Sequence, residues 1–407
     1  MMLSTAADHL DSSTADPLIR LVGAAAWRRR IDEIRDLANS GPRAGLAFRQ
    51  RYSLELTVEK MRRPQSRPLS LGERMVAGIA AEIGPIADAL SAAGRYRLVE
   101  RLHEALAAQN TLIPVFHLIR TALMQQSRGF SVAFSGLEDG ASYDLLVQRG
   151  GVEAEIACDV VNAEEGRGVH RGAWFRLADR IDPDLQTWLA AHPGRYLLKM
   201  TLPQGLRGGL HDSEPESEIL ARLHGRITAM LRSASRQDGD EAIVLRLDPL
   251  LLAGAQADEM GLISTLRREF GPEAHLSVTT AGGGMFVMAA RAGQENEVAI
   301  AIRRRLAAVT PQRLTGERPG IVAVFVEDTD KLEWRGLRER LELEGEARQF
   351  LTHEAARPVV AVSFASRLEL FGMSEPDAAA DGEIRFRNPS HPAASLAALA
   401  PAVQSSI

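Results

Sequence analysis

The chain has 407 residues, long for one domain and comfortable for two. Hydrophobic residues make up 45%, enough for at least one large core, and the formal net charge of −5 excludes a globally basic nucleic-acid coat protein while leaving room for a local basic groove. The single cysteine, Cys158, excludes an intrachain disulfide and fits a reducing compartment.

The opening residues, MMLSTAADHLDSSTADP, lack the basic start and apolar run of a secretory signal. No stretch reaches the roughly 18 uninterrupted apolar residues of a membrane helix. The apolar segment Thr111–Met124 is broken by Pro114, His117 and Arg120. The expectation is a cytoplasmic chain with no membrane partner, beginning with a frayed polar tail over 1–16.

From Pro17 to about Gln109 the pattern is helical and predicts a helical N-terminal domain over 17–109. Leu18, Leu21, Val22, Ala25 and Trp27 begin an apolar stripe, followed by Arg28, Arg29 and Arg30. Leu54, Val58 and Met61 mark one face of a helix. The stretch RPQSRP at 63–68 breaks it. Ser70 with Glu73 has the spacing of a capping box and opens a helix to about Ala92, with another from Tyr96 to Ala108.

Beyond residue 110 the pattern turns mixed, and 110–390 reads as one α/β domain. A helix over Ile113–Gln126 ends at Gly129. Strands follow at Phe130–Phe134, Tyr143–Gln148, Val152–Val161 and Arg195–Leu202. A helix at about Val169–Ala191, interrupted by Pro183, separates the last two. Further on come a helix at Ser217–Ala234, a strand at Ala242–Leu247 with Leu250–Leu252 beyond it, and a hairpin of His275–Thr280 with Met285–Ala290. A helix at Glu295–Ala308 carries Arg303, Arg304 and Arg305 near its end. Strands at Ile321–Val326, Val359–Ser363 and Glu383–Phe386 complete the set, and 391–407 reads as a loose tail.

Chemistry concentrates in YDLLVQRGGVEAEIACDVVNAEEGRGVHR, residues 143–171. Two strands meet at a Gly150-Gly151 turn. Alternate side chains share a face, so Glu153, Glu155, Ala157 and Asp159 lie together opposite the apolar Val152, Ala154, Ile156, Cys158 and Val160. Unpaired buried carboxylates are costly, so the acidic face needs water, a cation or a basic partner. Asp144, at the start of the neighbouring strand, is placed to join it. Carboxylates on adjacent strands can hold a divalent metal that polarises a phosphodiester and activates water, with Mg²⁺ the natural ion. Arg167, His170 and Arg171 open the next helix, where basic side chains suit a phosphate; the alternative is pairing of the arginines with Glu164 and Glu165 or with the acidic strand face.

This segment resembles the restriction-endonuclease-like, or PD-(D/E)xK, superfamily. There an aspartate on one strand precedes an acidic-x-lysine motif on the next, and related members read Glu-x-Glu-Cys-Lys. The resemblance covers roughly 110–205. It implies a mixed-sheet core and makes Asp144 the first aspartate. It also sets Ala157 where the second acidic ligand belongs and Asp159 where the lysine belongs, so both positions are degenerate. Two routes to activity stay open: Asp144, Glu153 and Glu155 holding the metal, or Lys199 of RYLLKMTL reaching the site from the next strand. The implied function is a nuclease-like protein that binds DNA or RNA, weakly active or inactive. The alternative is a non-enzymatic scaffold whose N-terminal helices bind a protein partner or a second copy.

Overall fold

The computed structural model describes residues 16–62, 67–211, 214–250, 265–267 and 274–406. The tail over 1–15, the centre of the RPQSRP breaker and Leu251–Leu252 lie outside the described residues. The chain is mixed α/β and divides into two compact units. The first holds residues 51–165 with those up to 34 and from 299 onward; the second holds 35–50 and 166–298. Among the described residues no helix is long and apolar enough to cross a membrane.

In the first unit, helices α1 (Asp16–Val22), α2 (Ala24–Leu37), α4 (Ser53–Met61), α5 (Leu71–Ala89), α6 (Ala92–Ala105) and α7 (Ile113–Ser127) precede the sheet; α3 (Pro42–Arg51) falls largely in the second unit. Helix α5 forms where the sequence provides a start signal and an apolar stripe. Ser70 Oγ accepts the Glu73 amide (3.2 Å), and Glu73 Oε2 accepts the Ser70 amide (2.7 Å). Val76, Ala77, Ile79, Ala80 and Ile83 are buried below it. Ser70→Ala is expected to lower the urea unfolding free energy by about 1 kcal/mol; an unchanged midpoint would show the cap to be idle.

The helices expected as a separate domain over 17–109 do not stand apart. Helix α5 packs on α7. Arg30 donates to the carbonyls of Ala108 (2.7 Å) and Asn110 (2.5 Å), tying the supposed boundary into the fold.

The sheet of this unit has the order β1-β2-β3-β9-β10-β11. Its strands are β1 (Ser131–Ala133), β2 (Leu145–Arg149), β3 (Val152–Asn162), β9 (Gly320–Glu327), β10 (Val359–Ser366) and β11 (Ile384–Arg387), and a short helix α8 (Ser135–Glu138) links β1 to β2. β1, β2 and β3 form an antiparallel meander, β3, β9 and β10 are parallel, and β11 closes antiparallel. The β2–β3 turn is made by Gly150 (φ +56°) and Gly151 (φ +77°), the two left-handed positions that a two-residue hairpin of this twist requires. Helix α7 lies against β1, β3 and β9. The residues after Pro389, expected to be loose, pack instead: Leu399, Ala402 and Val403 are buried, and Arg385 Nε donates to the Gln404 carbonyl at 3.0 Å.

The second unit carries its own sheet, β5-β6-β4-β8-β7. The elements are α9 (Arg171–Ala191), β4 (Arg195–Leu202), α10 (Glu214–Arg232), β5 (Gln237–Gly239), β6 (Val244–Pro249), β7 (His275–Ala281) and β8 (Gly284–Ala292). α9 runs through Pro183 without interruption, because Trp174, Leu177, Ile181, Leu185 and Leu189 form one buried stripe in a core shared with α10 and the sheet. The chain returns to the first unit through α11 (Val298–Arg313), which is longer than expected, so Arg303–Arg305 fall mid-helix. Helices α12 (Lys331–Glu339) and α13 (Glu342–Leu351) connect β9 to β10.

Candidate functional site

The hairpin fixes where each acid lies. Leu145 pairs with Ile156, Leu146 with Glu155 and Gln148 with Glu153, so Asp144 stands across from Ala157. Its amide donates to the Ile156 carbonyl at 2.9 Å. Glu155 is two positions up the ladder from that point and Glu153 four, about 7 and 13 Å along the strand. Beyond Ala157, β3 continues to Asn162 with β9 on one side and no β2 residue on the other. The candidate site opens along that free edge.

Asp144 is almost fully buried, and its carboxylate accepts three hydrogen bonds. Oδ1 accepts from Arg101 (3.0 Å), while Oδ2 accepts from Arg313 (2.5 Å) and from the Cys158 amide (2.8 Å). Asp159 receives Arg305 in a fork, Nε at 2.7 Å and Nη2 at 3.0 Å, and that bond raises the guanidinium above its ordinary value. Glu155 is wholly buried and accepts the Thr315 amide (2.9 Å) and hydroxyl (2.5 Å). Glu153 accepts from Arg318 Nε at 2.8 Å.

The acidic face therefore does not meet solvent across its length. α11 and the loop after it cover it and bring one cationic or hydroxyl partner to each acid. Asp144, Glu153 and Glu155 are spaced out along the strands and bonded to different groups. Among the described residues no set of three His, Cys, Asp or Glu side chains is arranged to hold a metal ion. A divalent ion such as Mg²⁺ does not fit these three carboxylates.

Lys199, expected on the strand beside β3, lies on β4 in the other sheet, between β6 and β8, where it pairs with Asp248 at 3.1 Å. The neighbour of β3 is β9 instead, a strand buried over Gly320–Val326. Arg167, His170 and Arg171 do gather at the start of α9. Arg167 is buried, and His170 Nδ1 accepts the Gly208 amide at 3.2 Å. Burial, then Arg207 and Arg167, lower the His170 pKa, and burial with Arg171 and Arg167 takes His275 down to about 3.

At the free edge of β3 lies a cleft of about 460 Å³, walled by α6, α7, α11 and the end of β9. Arg51, Arg101, Arg305 and Arg313 face Glu104, Asp144, Asp159 and Glu327 within it. His117 lines it too. Its Nε2 bonds the Ala323 carbonyl at 3.0 Å, so that nitrogen carries the proton. Burial lowers its pKa to about 4, leaving a neutral ring. Cys158, half-buried, lines the cleft as well; burial and the neighbouring Asp144 push its thiol well above the usual range, which disfavours the thiolate. Sequence pattern does not single out Arg51, Arg101 or Arg313, and it marks Arg305 only as part of a basic run. Comparison of the chain with protein-family models, with curated proteins and with solved structures finds no match.

Proposed function

We propose that this chain is a non-hydrolysing relative of the restriction-endonuclease-like proteins that binds a nucleic-acid backbone at the cleft beside β3. The observation that carries the reading is that guanidinium groups occupy the carboxylates where the resemblance would set a metal: Asp144 is bound by Arg101 and Arg313, and Asp159 by Arg305. The order of elements supports the scaffold. Helix α7, the β1–β2–β3 meander, α11 and parallel β9 give helix, three strands, helix, strand; the helix and strand assigned to that order from sequence, α9 and β4, belong to the inserted unit.

Binding draws on the arginines' remaining donors. Arg101 uses one N–H on Asp144 with its side chain 37% exposed, and Arg305 is 43% exposed. Each has further N–H groups to offer a phosphate. The scaffold-only reading has less behind it. The apolar stripe of α5 is spent inside the unit, and exposed Leu71 and Tyr96 sit on different helices.

The test is labelled single-stranded and duplex DNA and RNA, with Mg²⁺ or Mn²⁺ and across a salt series. Binding without cleavage is expected. Arg101→Ala and Arg305→Ala should each weaken it about tenfold and reduce the salt slope by about 1. Metal-dependent cleavage, or no binding at low salt, would remove the proposal.

A further inference from the structure

Inside the cleft beside β3, part of the strand edge has no neighbour. We propose, resting on the nucleic-acid binding assigned above, that the cleft takes RNA in preference to DNA and that the main chain of Val160 tells them apart.

The register shows which main-chain groups are open. The Glu155 amide donates to the Pro319 carbonyl at 2.9 Å, and the parallel pairing runs without a shift from Glu155 opposite Gly320 to Asn162 opposite Glu327. Alternate residues of β3, namely Glu155, Ala157, Asp159 and Val161, therefore bond to β9, and Cys158 and Val160 turn the other way. On that side β2 ends at Leu145, opposite Ile156. Asp144 Oδ2 takes the Cys158 amide at 2.8 Å. Among the described residues nothing takes the amide or the carbonyl of Val160, which is half-buried and lines the cleft.

Val160 thus presents a donor and an acceptor side by side, and covering them without partners is costly. The guanidinium groups of Arg101, Arg305 and Arg313 in the same cleft call for an anion. Together these demands separate the nucleic acids. A DNA backbone carries acceptors and no donor, so it can answer the Val160 amide but leaves the carbonyl facing another oxygen. An RNA backbone adds a 2′-hydroxyl that donates as well as accepts. It meets the arginines and the amide through phosphate and the carbonyl through the hydroxyl. No Phe, Tyr or Trp lines the cleft, so the backbone rather than a stacked base is what it reads.

The experiment titrates the full chain with labelled single strands of one sequence made as RNA, as DNA and as 2′-fluoro RNA, which keeps the RNA sugar shape without the donor. RNA should bind about tenfold more tightly than either of the others, and those two alike. Val160→Pro, which removes the amide, should weaken RNA about fivefold, the worth of one hydrogen bond, and leave the salt slope unchanged, whereas Arg101→Ala lowers that slope. The urea midpoint of Val160→Pro should stay near wild type, because its amide donates to no strand; Val161→Pro loses a bond to β9 and should unfold at far lower urea. Equal affinity for RNA and 2′-fluoro RNA, or wild-type RNA affinity in Val160→Pro, would overturn the preference for RNA while nucleic-acid binding stands. No binding of any strand would remove both. Displacement of RNA by an equal concentration of ribose 5-phosphate or of polyglutamate would give the edge to a free sugar phosphate or to an acidic peptide strand, and would likewise overturn the proposal.

Discussion

Asp144→Ala is expected to lower the unfolding free energy by about 3 kcal/mol, the scale for removing one member of a buried ion pair. The carboxylate has three donors and all three lose their acceptor at once. They do not lose equally. Arg101 and Arg313 are 37% and 28% exposed, so water can replace part of what they give up. The Cys158 amide lies on the part-buried edge of β3 beside the cleft, and leaving it without an acceptor costs up to about 1–3 kcal/mol. Asp144→Asn keeps an acceptor there while discarding the charge, so its cost should be roughly half as large. Urea unfolding of the three proteins measures this. The result also separates two roles. A carboxylate held ready for a metal is kept at the expense of stability, and its removal is commonly neutral or stabilising. A midpoint that stays or rises in Asp144→Ala would show that the arginine clamp is not what Asp144 is for.

What could be read in advance was local. The Gly150-Gly151 turn, the strand that follows it and the Ser70–Glu73 cap each depend on neighbours a few residues apart, and each is present, although burial along that strand does not alternate: 154–157 are buried in a row while Val152, Cys158 and Val160 are half-buried. The partners of the acids are not local. Arg305 lies 146 residues from Asp159, and Arg313 lies 169 from Asp144. Alternation identified the acid-bearing face and said nothing of what covers it.

The same limit misplaced Lys199. A strand pattern does not name its sheet, and RYLLKMTL followed the next helix in sequence. A physical cue was there nonetheless. A strand inside a parallel array is buried on both faces and reads as a continuous apolar run. GIVAVFV in β9 has that character, whereas β4 is broken by partly exposed Tyr196, Lys199 and Thr201. The inserted unit is what moved the true neighbour of β3 so far along the chain.

Glu55 on α4 is expected to withdraw about 3 kcal/mol of stability as pH rises from about 5 to 8, against the gain over the same range from His117 and His275, which burial keeps neutral in the folded chain. Glu55 is wholly buried. Oε1 accepts the Leu112 amide at 3.1 Å, and Oε2 has no partner among the described residues. Burial raises the carboxyl from 4.5 to about 7, opposed by the Leu112 hydrogen bond and Arg30 and reinforced by Glu327, whose own carboxyl burial also raises. A raised acid holds its proton longer folded than unfolded. Its contribution is complete below about 4.5 and is lost as pH climbs through about 7. Glu55→Gln removes this titration and keeps an oxygen for Leu112. Relative to wild type, it should therefore gain up to about 3 kcal/mol between pH 5 and pH 8 in urea unfolding. The histidines keep their slope in both proteins, so the difference reports Glu55 together with its coupling to Glu327. The effect should also reach the cleft, because Glu55, Arg30 and Arg51 all hold the 108–112 loop, and Asn110 and Thr111 line it. Amide exchange in that loop should be faster at pH 8 than at pH 6 in wild type, beyond the intrinsic pH effect, and not in Glu55→Gln. If the two proteins keep a constant stability difference across this range, Glu55 is ionised throughout and the buried proton does not exist.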